Sequence, residues 1–141
     1  MENRGIDSNL FDSILMRIRS SSVVRTLAIT AVYLGYGEAG MKMIANENLA
    51  NIRGTLHGGI IASLADTAMG YSIQSLGLRG VTLDLNLHYC TPVATETEII
   101  AEGKVIHTGK SIVVVEALLF TSNRKLAAKS TGTFYLIPAP K

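Results

Sequence analysis

Residues Asn51–Gly77 read NIRGTLHGGIIASLADTAMGYSIQSLG, and the fold turns on this stretch. It opens on a glycine-rich turn that carries one histidine, His57. From Leu56 to Leu76 apolar residues recur over more than half of a helical circumference, which predicts one long buried helix. Arg53 and Arg79 bracket the stretch, and between them Asp66 is the only side chain obliged to carry a charge at neutral pH. A buried carboxylate without a partner is costly enough to demand a reason. At about 100° per residue, Gly59, Ala62, Ser63, Asp66 and Gly70 fall on one narrow face. Small side chains there let a second backbone or a ligand approach closely, with Asp66 inside the groove they leave.

The remaining chain sets the bounds. A length of 141 residues predicts one domain, 1–141, able to bury a core without metal or disulfide. Hydrophobic residues make up 48% and charged ones 17%, with mean hydropathy +0.30. That is apolar for a monomer, so part of the surface is expected to be covered by other subunits. The one cysteine, Cys90, has no partner for an internal disulfide. MENRGIDSNL lacks the basic segment and apolar region of a signal peptide, which predicts a cytoplasmic protein. Asp66 interrupts the best apolar run, so no membrane span is expected. A net charge of +2 with scattered basic residues gives nucleic-acid binding no support.

In chain order, Leu10, Phe11, Ile14, Leu15 and Ile18 have the spacing of a short amphipathic helix, within an N-terminal helical segment over 1–22. A core over 23–137 follows. Val24–Leu34 reads as a first strand and Glu38–Ala45 as its hairpin mate across Gly35, Gly37 and Gly40. Asn46–Gly54 is a polar loop into the long helix. In VTLDLNLHY from Val81, alternation puts Val81, Leu83, Leu85, Leu87 and Tyr89 on one face of a strand and Thr82, Asp84, Asn86 and His88 on the other. Thr91-Pro92 breaks it. Glu98–His107, then Ser111–Phe120 with its single charge Glu116, then Leu126–Ile137 supply three more strands, joined by turns at Thr108-Gly109-Lys110 and Ser122–Lys125. Pro138 and Pro140 stop the last. The class is α+β: an antiparallel sheet of about six strands wrapped around one long helix, with no βαβ alternation.

Several motifs fall away. Between Gly103 and Gly109 stand five residues where a phosphate-binding loop needs four, and a β-branched run follows where that loop requires a helix. No serine lies in G-x-S-x-G. His57, His88 and His107 lack any metal-ligand spacing, so neither a metal nor another cofactor is expected.

Asn51, Gly54, His57-Gly58-Gly59 and Leu64-Ala65-Asp66, followed by Val81-Thr82-Leu83-Asp84-Leu85-Asn86 and Gly109-Lys110-Ser111, resemble the hotdog-fold acyl-CoA thioesterases, in the branch of phenylacetyl-CoA and 4-hydroxybenzoyl-CoA thioesterases. The resemblance spans Val24–Ile137. It implies hydrolysis of a small or medium acyl- or aryl-CoA. Gly58, at the helix start, would offer its N–H and the helix dipole to the thioester carbonyl. Asp66 would be the general base that activates water, or the nucleophile that attacks the carbonyl carbon. Asn51 and His57 would orient water or substrate, and Thr82, on the polar side of its strand, would assist Asp66. Gly59 and Tyr89 are further substrate contacts it implies, with Thr108, Gly109, Lys110 and Ser111 meeting coenzyme A.

Gly58 and Asp66 are eight positions apart, roughly 12 Å along a helix. One thioester cannot touch both within one chain. The productive pair is therefore expected across a two-fold axis, in a homodimer and then a dimer of dimers. A hydratase or dehydratase of acyl thioesters on the same fold, or an acyl-CoA sensor without turnover, are the competing readings. Release of free thiol separates enzyme from sensor.

Overall fold

The computed structural model describes residues 1–138. One sheet of seven strands runs in the order β1-β2-β3-β5-β6-β7-β4. Its members are β1 (Glu2–Arg4), β2 (Thr30–Gly35), β3 (Glu38–Ile44), β4 (Gly80–Tyr89), β5 (Glu98–Thr108), β6 (Ile112–Thr121) and β7 (Leu126–Leu136). The helices are α1 (Ser8–Ser20), α2 (Ser22–Thr26) and α3 (Gly58–Gln74). The expected α+β class, long helix and hairpin strands are all present.

Alternation does the work in the sheet. Along β6, Val113, Val115, Ala117 and Leu119 are fully buried against α3, while the residues between them are only partly covered. From α3 itself, Ile61, Leu64, Ala65, Ala68, Met69, Ser72 and Ile73 turn inward. The helix can lie close because β5 has no side chain at Gly103, where a Cβ would stand 2.7 Å from the Ala68 carbonyl oxygen and 2.8 Å from its carbon. Backbone cannot swing away as a side chain can. Gly103→Ala should therefore cost about 1–3 kcal/mol, read as a lowered Tm by calorimetry, and an unchanged Tm would contradict this packing.

Three local features depart from the sequence reading. The strand expected over Val24–Leu34 begins only at Thr30, because Ser21 accepts a hydrogen bond from the Val24 N–H and caps α2, and Ala28 turns the chain at φ 52. The cap outweighs the strand preference of two valines. The sheet has one more strand than expected, since β1 joins β2, and this pair is parallel. Its three exposed polar residues carry no apolar period to find it by. The third departure is in β4, and it bears on the site. Pro140 lies outside the described residues, and β7 ends at Leu136, before Pro138.

The two faces of the sheet differ. The cross-strand ion pair Lys42–Glu98 at 3.3 Å, and the pair of Arg124 in the β6–β7 turn with Glu102 at 2.6 Å, decorate the face away from α3. Partly exposed pairs of this kind add little stability, but they mark that face as wetted. By contrast β4 is a free sheet edge with Val81 49% and Leu83 56% exposed. A ten-residue edge of this sort is open to pairing with another chain.

Candidate active site

The site begins with the backbone account at the start of α3. His57 is its N-cap, an unusual residue for that role: its Nδ1 accepts from the Gly59 N–H at 2.9 Å. Nδ1 therefore carries no proton, and Nε2 is the nitrogen left to donate. The His57 carbonyl accepts from Ile60 at 2.9 Å and Ile61 at 3.2 Å. Of the first four amides of the helix, Gly58 alone has no partner among the described residues. On its other side the Gly58 carbonyl accepts the Tyr89 hydroxyl at 2.7 Å. A Cβ on Gly58 would come within 3.3 Å of the Tyr89 ring, so glycine keeps both the amide and the tyrosine in place.

A pocket of about 360 Å³ opens at this amide, lined by Gly58, Tyr89, Asn51, Arg53 and Cys90 among others. Asn51 shapes its rim. The Asn51 Oδ1 accepts from the Arg53 N–H at 2.9 Å and the Thr55 N–H at 3.2 Å, and its Nδ2 donates to Thr55 Oγ1 at 3.0 Å. These bonds close the turn over Gly54, whose φ of 78 suits glycine.

Asp66 lies on the small-residue face, and that face is turned away from the sheet. Gly59 is exposed, and Ala62, Ser63, Asp66 and Gly70 are all half-buried. The carboxylate expected to be buried and alone is thus partly open and has a partner. Thr82 Oγ1 donates to Asp66 Oδ1 at 2.7 Å. Strict alternation put Thr82 on the far face of its strand, with Asp84, Asn86 and His88. The ladder instead pairs Thr82 with Phe134 and Asp84 with Thr133, leaving Leu83 as a bulge. Opposed residues share a face, so Thr82 joins Leu85 and Leu87 on the side of α3. A single extra residue has re-aimed one hydroxyl. Nothing in the period of the sequence announces it.

The second pocket, about 340 Å³, holds Asp66 and Thr82 together with Thr67, Gly70, Tyr71, Gln74 and Ser21. Gly58 is not among its lining residues, and Asp66 does not line the first. The turn Thr108–Ser111 stands apart from both, with Thr108, Lys110 and Ser111 exposed. There Gly109 donates its N–H to the Ile112 carbonyl at 2.8 Å, making the hairpin that rules out a phosphate-binding loop. No helix among the described residues is long and apolar enough to cross a membrane.

Comparison with known proteins adds to this geometry. Residues 53–128 match the family model of the thioesterase superfamily. Acyl-coenzyme A thioesterase 13 of Homo sapiens is 34% identical over 106 residues, 74% of this chain and 71% of that one. A conserved protein from Pseudomonas aeruginosa has a solved structure that is 32% identical, with TM-score 0.78 over 83% of this chain and 94% of its own. The PaaI protein of the E. coli phenylacetic acid degradation operon shares the fold at TM-score 0.91, with 23% identity over 96% of this chain and 98% of that one. Fold and relatives together define a hotdog-fold thioester hydrolase. The chain belongs to the thioesterase superfamily.

Proposed function

We propose that this protein, a single hotdog domain, hydrolyses an acyl-CoA thioester to the free acid and coenzyme A, in a site made by two subunits. One observation carries the reading. Among the described residues the first turn of α3 leaves one amide unpartnered, at Gly58, and the open face of the helix carries one carboxylate held by a hydroxyl, at Asp66, in a separate pocket. Each is half of an acyl-transfer site. Roughly 12 Å of helix separates them, so the pocket at Gly58 is completed by Asp66 of the partner subunit. The exposed edge of β4, with Val81 and Leu83, supports a second copy meeting this face.

The steps follow from the groups. The thioester carbonyl oxygen accepts from the Gly58 N–H, whose position at the positive end of α3 favours the developing oxyanion. Asp66 of the partner subunit takes a proton from water as its oxygen bonds to the carbonyl carbon. The tetrahedral oxyanion then collapses, the C–S bond breaks, and the leaving thiolate recovers the proton. Thr82 keeps one carboxylate oxygen occupied, so the other faces water. Asn51 and His57 shape and cap the amide's pocket, and Gly59 and Tyr89 border the entering substrate. Thr108, Gly109, Lys110 and Ser111 offer hydroxyls, an amide and a cation to the phosphates of coenzyme A.

The name of the human relative supports acyl-CoA as the substrate class. The test is release of free thiol from a panel of acyl-CoAs, short aliphatic to aromatic, followed with a thiol reagent. Steady release from at least one member is expected. Binding without release from every member would favour a sensor over an enzyme.

A further inference from the structure

The pocket that holds Asp66 is lined on its sheet side by Gly80, Val81 and Phe134 and on its helix side by polar groups. Its far wall is built by Tyr71 and Gln74 of α3 and by Ser21, which the N-terminal segment brings across the last turn of the helix. Arg17 of α1 fixes the chemistry of this floor. Its Nη1 donates to Gln74 Oε1 at 3.0 Å and its Nη2 to Ser13 Oγ at 3.1 Å. A guanidinium has donors only, so the amide oxygen of Gln74 must be the atom facing Arg17, and the NH₂ group is left over. That NH₂ has no partner among the described residues. Tyr71 is 8% exposed. Burial pushes its phenol above the usual value, with the neighbouring Ser21 hydroxyl and the Arg17 charge pulling the other way, so the group stays a neutral donor. Arg17 itself meets no carboxylate at ion-pair distance among the described residues. Donors from Gln74, Tyr71 and Ser21 thus gather on one wall of the pocket, with the Arg17 guanidinium bonded to Gln74 without lining the pocket itself.

From this arrangement we infer that the floor selects acyl groups bearing a hydrogen-bond-accepting oxygen at the end remote from the thioester, with Gln74 as the chief specificity-determining residue and Tyr71 and Ser21 beside it. The inference rests on the thioesterase reading and on the acyl chain entering the pocket of Asp66. Gln74 lies eight positions beyond Asp66, roughly 12 Å along the helix, and its side chain leans back towards the helix start. A carbonyl held at Asp66 therefore directs a chain of moderate length to this floor. An alkyl end arriving there strips water from the NH₂ without replacing its hydrogen bond, and such a mismatch is what lets a polar site reject an apolar analogue.

The experiment compares kcat/KM for acyl-CoAs matched in length, of six and eight carbons, ending in methyl, hydroxyl or carboxylate. The wild-type enzyme is expected to favour an oxygen-bearing end by about tenfold or more. Gln74→Leu, close in volume, should lower that preference by about tenfold, mainly through a raised KM for the oxygen-bearing member, and Tyr71→Phe should lower it less. A calorimetric scan establishes that each variant is folded. Equal kcat/KM across each matched set, or a preference that neither substitution moves, would overturn the inference while leaving thioester hydrolysis intact. Hydrolysis of none of the set, or of any other acyl-CoA, would instead overturn the thioesterase reading and this inference with it.

Discussion

Asp66→Ala is expected to lower thioester hydrolysis by at least about 10²-fold, the usual loss on removing a general base, with the fold intact. The fold should survive because the side chain is half-exposed in the protomer and its one partner, the Thr82 hydroxyl, can turn to water. The loss should therefore appear in kcat, with Tm little changed. Activity within a few-fold of wild type would remove Asp66 from the chemistry. The role of the carboxylate can be read from a single turnover in ¹⁸O-water with enzyme in excess. As a base, Asp66 directs solvent oxygen into the acid, and label is expected in the product and not in the protein. Unlabelled product with label in Asp66 would make it the nucleophile.

Gly58→Val is expected to cost a similar factor for a different reason. A Cβ at this position already presses to 3.3 Å on the Tyr89 ring, and branching it would crowd the Gly58 amide, which has no partner among the described residues. Losing a single donor to an oxyanion costs on the order of 10²- to 10³-fold. Near-normal activity in a folded Gly58→Val protein would mean that another group polarises the carbonyl.

The helix was legible because its two requirements leave separate marks in the sequence. Its packed side repeats Ile61, Leu64, Ala65, Ala68 and Met69 at helical spacing, and its open side is the run of small residues around Asp66. Spacing also gave the two-subunit argument, since the rise per residue is fixed wherever the helix lies. What escaped depends on single local events. The bulge at Leu83 leaves alternation in the sequence untouched while reversing the face of Thr82, so strict period-2 reading put the hydroxyl on the wrong side of the strand. His57 as a cap was hidden because the usual capping residues are Ser, Thr, Asp and Asn. The polar floor was hidden more thoroughly, for Ser21 and Arg17 approach Gln74 only once the N-terminal segment has folded across α3. Contacts at a sequence separation of 57 have no local signature.

The claim on which the mechanism stands is that each site takes Gly58 from one subunit and Asp66 from its partner. Mixing inactive Asp66→Ala protein with inactive Gly58→Val protein, under conditions that exchange subunits, tests it most directly. In a mixed dimer one of the two sites has an intact Gly58 facing an intact Asp66, and the other has neither. Random exchange places half of the dimers in the mixed form, so the account predicts recovery to about one quarter of wild-type activity. No recovery, with exchange demonstrated by differently tagged subunits, would mean that both residues act within one chain and would contradict the account.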